Sequence, residues 1–263
     1  MSRLLRRAPI AASAIALLLS ACSPVTRKGL EPLVTDRPDF TESTETVARG
    51  MRQLEAGTTF SRTFAERNGS VGEALLRIGV ARRTELRVGL NSFSMARSGG
   101  ATASGFEDIS LGTKIKLLDG GPAGSLKPAL SLIVASSLPT GANEFRARKP
   151  QPEMKFGAAW DITSRVAFSS NLNYARVSEA AADYGEFAAT GSVGVTLTDR
   201  LGAYAEYFTF MPTAVNLSAS RYVNGGFTYG LTDNLQLDLR SGFGAHRRAD
   251  LDYFFGAGVS RRW

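Results

Sequence analysis

The sequence predicts an all-β protein, an antiparallel up-and-down transmembrane β-barrel of about 12 strands with N- and C-termini periplasmic. Three observations carry the prediction. A period-two hairpin pattern repeats along the chain, one N-terminal apolar run is too short to span a bilayer as a helix, and two rows of aromatics mark opposite ends of the apolar strand face.

The hairpin is clearest from Val223 to Phe243. Val223, Gly225, Phe227 and Tyr229 alternate with Asn224, Gly226 and Thr228; after Gly230-Leu231-Thr232-Asp233-Asn234, Leu235, Leu237 and Leu239 alternate with Gln236, Asp238 and Arg240. Both arms therefore have one apolar and one polar face. Further copies enclose Ala81 to Glu85, Asp161 to Arg165 and Thr196 to Arg200. The spacing keeps the apolar face on one side across each turn, and a slip of one residue would reverse it.

At the N-terminus Arg3, Arg6 and Arg7 precede the apolar run Ile10 to Leu19, the layout of an export signal. The run ends in Leu19-Ser20-Ala21-Cys22, which resembles a bacterial lipoprotein signal. That resemblance implies a diacylglycerol thioether on Cys22 and, with Ser23 following, sorting to the outer membrane. The chain then divides into a signal peptide (1–21), a periplasmic N-terminal segment (22–48) and a barrel (49–263). Cys22 is the sole cysteine, so no intramolecular disulfide forms. Of the net charge of +7, the three leader arginines contribute nearly half, and no basic helix or aromatic-interleaved patch points to nucleic acid.

Along the barrel, outward candidates begin with Leu54, Ala56, Thr58 and Phe60, continue with Leu76, Ile78 and Val80, then Leu86, Val88 and Leu90, and recur to the final run Tyr253, Phe255, Ala257 and Val259. The opposite face carries Glu55, Arg77, Glu85, Arg87, Lys114, Lys116, Glu153, Lys155, Glu206, Asp238 and Arg240, side chains that need water. These are the expected lumen wall. Trp160 and Tyr229 sit on the apolar face beside short turns, and Phe60, Tyr174, Phe243 and Tyr253 sit on it at the far ends. A β-sandwich would concentrate aromatics mid-strand instead, whereas paired rows are the pattern of lipid-facing girdles.

Short links are expected at the four repeated turns and at Asp119 to Ser125. Long links are expected at Arg62 to Gly72, Ser94 to Gly105, Pro139 to Pro150, Ala175 to Tyr184, Met211 to Ser220 and Gly244 to Asp250. Short turns at the periplasm and an even strand count put both ends of the chain there. Trp263 ends the chain with an aromatic, resembling the signal read by barrel-insertion machinery.

Catalytic chemistry has little to work with. His246 is the only histidine, beside Arg247 and Arg248 in an expected outer loop, so neither a barrel-embedded histidine triad nor a multi-histidine metal site is available. Carboxylates such as Glu55 and Glu85 share their face with arginines and lysines and read as ion-paired walls. No enzyme, cofactor or metal is expected.

The proline-stiffened stretch Thr35 to Ser43, followed by Arg49 to Gly57, resembles the opening of the outer-membrane "MetA-pathway of phenol degradation" family. The resemblance implies a Gram-negative outer-membrane β-barrel transporter, a channel for passive uptake of small hydrophobic or aromatic compounds. The alternative is a structural or envelope-interaction barrel lipoprotein without transport. Before the first strand, Asp36, Arg37, Asp39 and Glu42 are expected to fold back as a plug onto wall charges such as Arg77, Arg87 and Lys155, the other possibility being a periplasmic tether. Phe93, Tyr204, Phe208 and Phe254 are expected to point inward. The expected partners are outer-membrane lipid, a small-molecule solute and the insertion machinery, with lipopolysaccharide phosphates meeting Arg146, Arg148, Lys149, Arg247 and Arg248.

Overall fold

The computed structural model describes residues 32–63, 66–90, 92–178, 183–214, 217–245 and 253–263. Its strands are β1 (Arg52–Arg62), β2 (Glu66–Ala81), β3 (Thr84–Gly89), β4 (Phe93–Ser98), β5 (Ala101–Phe106), β6 (Ile109–Leu118) and β7 (Ala129–Leu138), followed by β8 (Gln151–Asp161), β9 (Val166–Ser178), β10 (Asp183–Thr196), β11 (Leu201–Pro212), β12 (Ser220–Thr232), β13 (Leu235–Gly244) and β14 (Tyr253–Arg262). All neighbouring pairs are antiparallel. β1 pairs with both β2 and β14, running from Gln53 opposite Arg262 to Arg62 opposite Tyr253 across the seam, so the sheet closes. The fold is the 12-strand barrel the alternation predicts, because the fourteen segments make twelve staves. β3 and β4 both pair with β2 in one continuous register, Leu75 opposite Gly89 and Val71 opposite Phe93. β5 and β6 likewise make up the next stave, pairing with β4 and β3.

The two faces sort as the period of two requires. Outward-facing Leu172 and Leu239 are 62% and 59% exposed, whereas inward-facing Glu55, Glu85 and Lys114 are fully buried. Such an inside-out distribution is stable only where lipid covers the apolar side. The outward aromatics stack in pairs across strands, Phe60 with Phe255 at 5.3 Å and Tyr174 with Phe187 at 5.0 Å toward one end, Trp160 with Phe168 at 5.9 Å toward the other.

Two of the four repeated turns share one chemistry. Thr163 Oγ1 accepts from the N–H groups of Arg165 and Val166, and Thr198 Oγ1 accepts from those of Arg200 and Leu201. The threonine hydroxyl thereby caps backbone donors that the turn leaves unpaired. In the other two copies the strands run on to a two-residue turn, and a bulge between Gly230 and Thr232, or between Gly79 and Ala81, restores the face.

Two of the long links expected from the sequence are strand instead. The stretch after Arg62 re-enters the sheet at Glu66, and Ser94 to Gly105 forms the β4–β5 hairpin around Gly99-Gly100, both at positive φ. Polar, small-residue sequence masked strands that continue past the apolar band. A second correction concerns Phe93. It points outward and packs edge-on against Phe106 at 5.2 Å, because the break between β3 and β4 reverses which side odd-numbered residues face. Opposite that break, Gly72 and Glu73 take positive φ in β2, which turns the Glu73 side chain inward.

Candidate channel interior

Residues 33–47 cross the barrel interior without regular secondary structure, and their contacts reach staves all around it. The centre is Asp36. Its carboxylate accepts from Arg87 Nη1 at 2.6 Å and from Lys114 Nζ at 2.8 Å, lies 3.4 Å from Arg77 Nη1, and takes the N–H and Oγ–H of Ser43, each at 2.9 Å. Its own N–H and that of Arg37 both donate to Glu55 Oε2 at 2.9 Å.

Around this hub the wall charges are mutually satisfied. Arg77 grips Glu85 with Nε and Nη2 at 2.8 and 3.0 Å, the forked geometry a guanidinium offers a carboxylate, and reaches Glu55 with Nη1 at 2.8 Å. Arg87 and Lys155 share Glu42, each at 2.6 Å. Lys116 reaches Glu45 at 2.7 Å, and Glu153 stands 3.4 Å from Lys155. Asp119, in the exposed link after β6, is held below the usual carboxylate range by the hydrogen bond from Lys116.

Arg37 runs to the opposite wall. Its guanidinium contacts Glu73 at 2.8 Å, Asp238 at 3.3 Å and the Ala257 carbonyl at 3.3 Å. It lies flat over Gly57 and Gly258, where any Cβ would collide with it. Two inward glycines on adjacent staves thus form the seat for this side chain. Arg240 bonds Thr59, Glu73 and the Pro38 carbonyl and covers the Phe254 ring at 5.9 Å. Glu206 accepts from the N–H groups of Phe40 and Thr41, the Thr41 hydroxyl and Asn224. Asp39 lies beside Ser192 and Glu206 and makes no ion pair among the described residues.

The segment residues and the wall residues singled out in the sequence therefore meet, while Cys22, His246, Arg247 and Arg248 lie outside the described residues. Arg148 and Lys149 both pair with Asp183, at 2.8 and 2.6 Å. Glu73, Glu45, Thr41 and Gln53 were not anticipated. Glu73 was hidden by the register break at Gly72. Thr41 and Glu45 belong to the segment itself and Gln53 donates to its Val34 carbonyl, and no periodicity reveals the segment's path.

Against the charged half of the interior stands an aromatic one. Phe208, Tyr222 and Phe254 are buried together, with Phe210 and Phe40 packed on them. Phe40 stacks on Phe208 at 4.9 Å, and Phe208 on Tyr222 at 5.0 Å. Inward-facing Tyr204 is held by Asn224. Next to this cluster, at the end where β8 turns into β9, a cavity of about 350 Å³ opens between Leu33 to Asp39 and the inner faces of β9 to β12. Small inward residues make the space: a Cβ added at Gly194 would touch nothing within 4 Å. Asp39 and Tyr204 line it, and Phe40 and Glu206 follow them toward the aromatic cluster.

A family model described as MetA-pathway of phenol degradation matches residues 35–263. No curated protein matches the sequence. Among solved structures, the chain is similar to the COG4313 outer membrane channel from Pseudomonas putida F1, with TM-score 0.61 and 12% identity over 84% of this chain and 98% of that one. It is also similar to the NanC porin (TM-score 0.55, 9% identity, 79% and 98% coverage) and to the KdgM porin in complex with disordered oligogalacturonate (0.51, 10%, 79% and 98%). What is shared with these outer-membrane proteins at such identities is the barrel fold.

Proposed function

Because the chain belongs to the MetA-pathway of phenol degradation family, we propose that it is an outer-membrane channel of a Gram-negative bacterium for passive uptake of small hydrophobic or aromatic compounds. The observation that carries the substrate class is the buried cluster of Phe40, Phe208, Phe210, Tyr222 and Phe254 inside a barrel whose other buried side chains are for the most part polar. Apolar rings facing a lumen gain nothing from lipid, and they offer a planar solute offset-stacked and edge-on contacts. The adjoining cavity, about 350 Å³, has the size of a single small ligand site.

Residues 33–47 act as a plug in this reading, anchored by Asp36, Arg37 and Glu42, with Asp39 at the cavity rim. Both termini are periplasmic, Cys22 tethers the chain to the inner leaflet through its lipid, and Trp263 serves the insertion machinery. Arg146, with Arg247 and Arg248, extends toward lipopolysaccharide phosphates from the outer loops. No catalysis is involved.

Solute flux tests the reading. Liposomes carrying the purified protein are expected to take up phenol or toluene faster than empty liposomes, and to admit a hexose at no more than the empty-liposome rate. A variant lacking residues 23–45 is expected to show larger single-channel conductance than the full protein, and equal conductance removes the plug. The dense ion pairing of the segment favours a second reading, a structural barrel with a permanently closed lumen; flux equal to empty liposomes for every aromatic solute selects it.

A further inference from the structure

We propose that Arg62, Arg67 and Arg97 form a binding site for lipopolysaccharide phosphate on the outer wall of the barrel. The site rests on the orientation proposed above, which puts this end at the cell surface. The three residues are register neighbours on adjacent staves. Arg62 of β1 is opposite Arg67 of β2, and Arg67 is opposite Arg97 of β4. Like charges directly opposite one another across a sheet are destabilising, so three in a row need a counter-charge.

Glu66 is the one carboxylate among the described residues that line the site, one against three, and it forms no ion pair with them. Among the described residues, these guanidinium groups make no ion pair or hydrogen bond, and all three residues are exposed. This sets them apart from Arg148 and Lys149, whose charge Asp183 already meets. Together they line a cavity of about 360 Å³ with Thr63, Glu66 and the Gly99-Gly100 turn.

Their position on the wall selects the partner. Each lies one outward step beyond the lipid-facing face: Phe60 precedes Arg62, Gly69 and Val71 follow Arg67, and Phe93 and Met95 precede Arg97. Phe60, Val71 and Met95 are 45%, 56% and 49% exposed. Apolar side chains for acyl chains and, directly above them, uncompensated guanidinium groups match a lipid with phosphate at the base of its headgroup. Guanidinium binds phosphate oxygens in a fork, a geometry the lysine ammonium lacks. Lipopolysaccharide carries phosphates at that depth in the outer leaflet.

The experiment compares the full-length protein with its R62S/R67S/R97S and R62K/R67K/R97K variants, each folded in detergent as judged by heat-modifiable gel mobility. Binding is measured by native mass spectrometry against bis-phosphorylated lipid A, the same lipid A with both phosphates removed, and phosphatidylglycerol. Roughly fivefold is expected for each arginine near an anionic headgroup, so the serine variant should bind bis-phosphorylated lipid A on the order of a hundredfold more weakly. The lysine variant, which keeps the charge and loses the fork, should bind with an affinity between those of the wild type and the serine variant, and the dephosphorylated lipid should bind the wild type as weakly as the serine variant binds the phosphorylated one. Unchanged binding by the serine variant overturns the site, as does equal binding of dephosphorylated lipid A. Equal or tighter binding of phosphatidylglycerol also overturns it, because the patch is then a general anionic-lipid surface. Should the serine variant fail to fold, the single R62S, R67S and R97S variants take its place, each expected to bind bis-phosphorylated lipid A roughly fivefold more weakly than the wild type, and unchanged binding by all three overturns the site. Solute flux is untouched by every one of these outcomes, so the channel reading stands or falls separately.

Discussion

Asp36 draws three cations to a single carboxylate, and the cost of losing it follows from burial. Arg77, Arg87 and Lys114 are nearly inaccessible, so removing their shared partner leaves positive charge where water does not reach. Breaking one member of a buried ion-paired set costs about 3–5 kcal/mol. Asp36→Asn keeps the shape and removes the charge, and is expected to lower the unfolding free energy measured with urea in micelles by that order while exposing residues 33–47 to proteinase K. Asp39 shows how little that depends on residue type alone, since the same side chain three residues on has no cation among the described residues and its replacement by Asn should leave the unfolding free energy within about 1 kcal/mol of wild type. Gly258 is the complementary case. Gly258→Leu fills the seat of the Arg37 guanidinium and should release the segment to proteolysis even though Asp36 is intact.

At the scale of elements, β2 and the turn before β1 are built against each other. Gly50 N–H donates to the Gly79 carbonyl at 2.8 Å, Gly79 N–H to that of Met51 at 3.0 Å, and the space in front of Gly79 is filled by the Val47 and Ala48 carbonyls. A methyl there has nowhere to go, so Gly79→Ala should cost about 1–3 kcal/mol in urea unfolding, the range for overpacking. Gly194, with open space in front of it, should accept the same change with no measurable shift. The strands themselves were readable because the alternation that lets a ribbon face lipid on one side and water on the other leaves its trace every second residue. The break between β3 and β4 and the one at Glu107-Asp108 were not, since a change of face costs the sequence only a few ordinary residues. Phe93 and Glu73 were misread or missed for that reason.

Across the whole molecule, charge couples the segment to the wall. In the shared cluster Arg77, Arg87, Lys114 and Lys155 face Glu55, Glu85 and Glu153 from the wall, and Asp36 and Glu42 add negative charge from the segment. A barrel lacking residues 23–45 keeps the cations and loses part of their counter-charge. The same deletion removes Arg37 and leaves Glu73 and Asp238 without it, so the wall carries both signs and the conductance should be only weakly ion-selective, with a reversal potential near zero in a KCl gradient. Sequence alone determined the class of the fold, most of the side chains that look inward, and that the segment before the first strand carries charges able to meet them. Periodicity and composition are local, and lipid on one side leaves a signal in every strand. The tertiary structure decided the partners: Arg37 reaches Asp238 across 201 positions, Glu206 collects the amides of Phe40 and Thr41, and β1 meets β14. Closure of the sheet brings these groups together, and closure is a property of the summed tilt and register of twelve staves that no single stretch encodes.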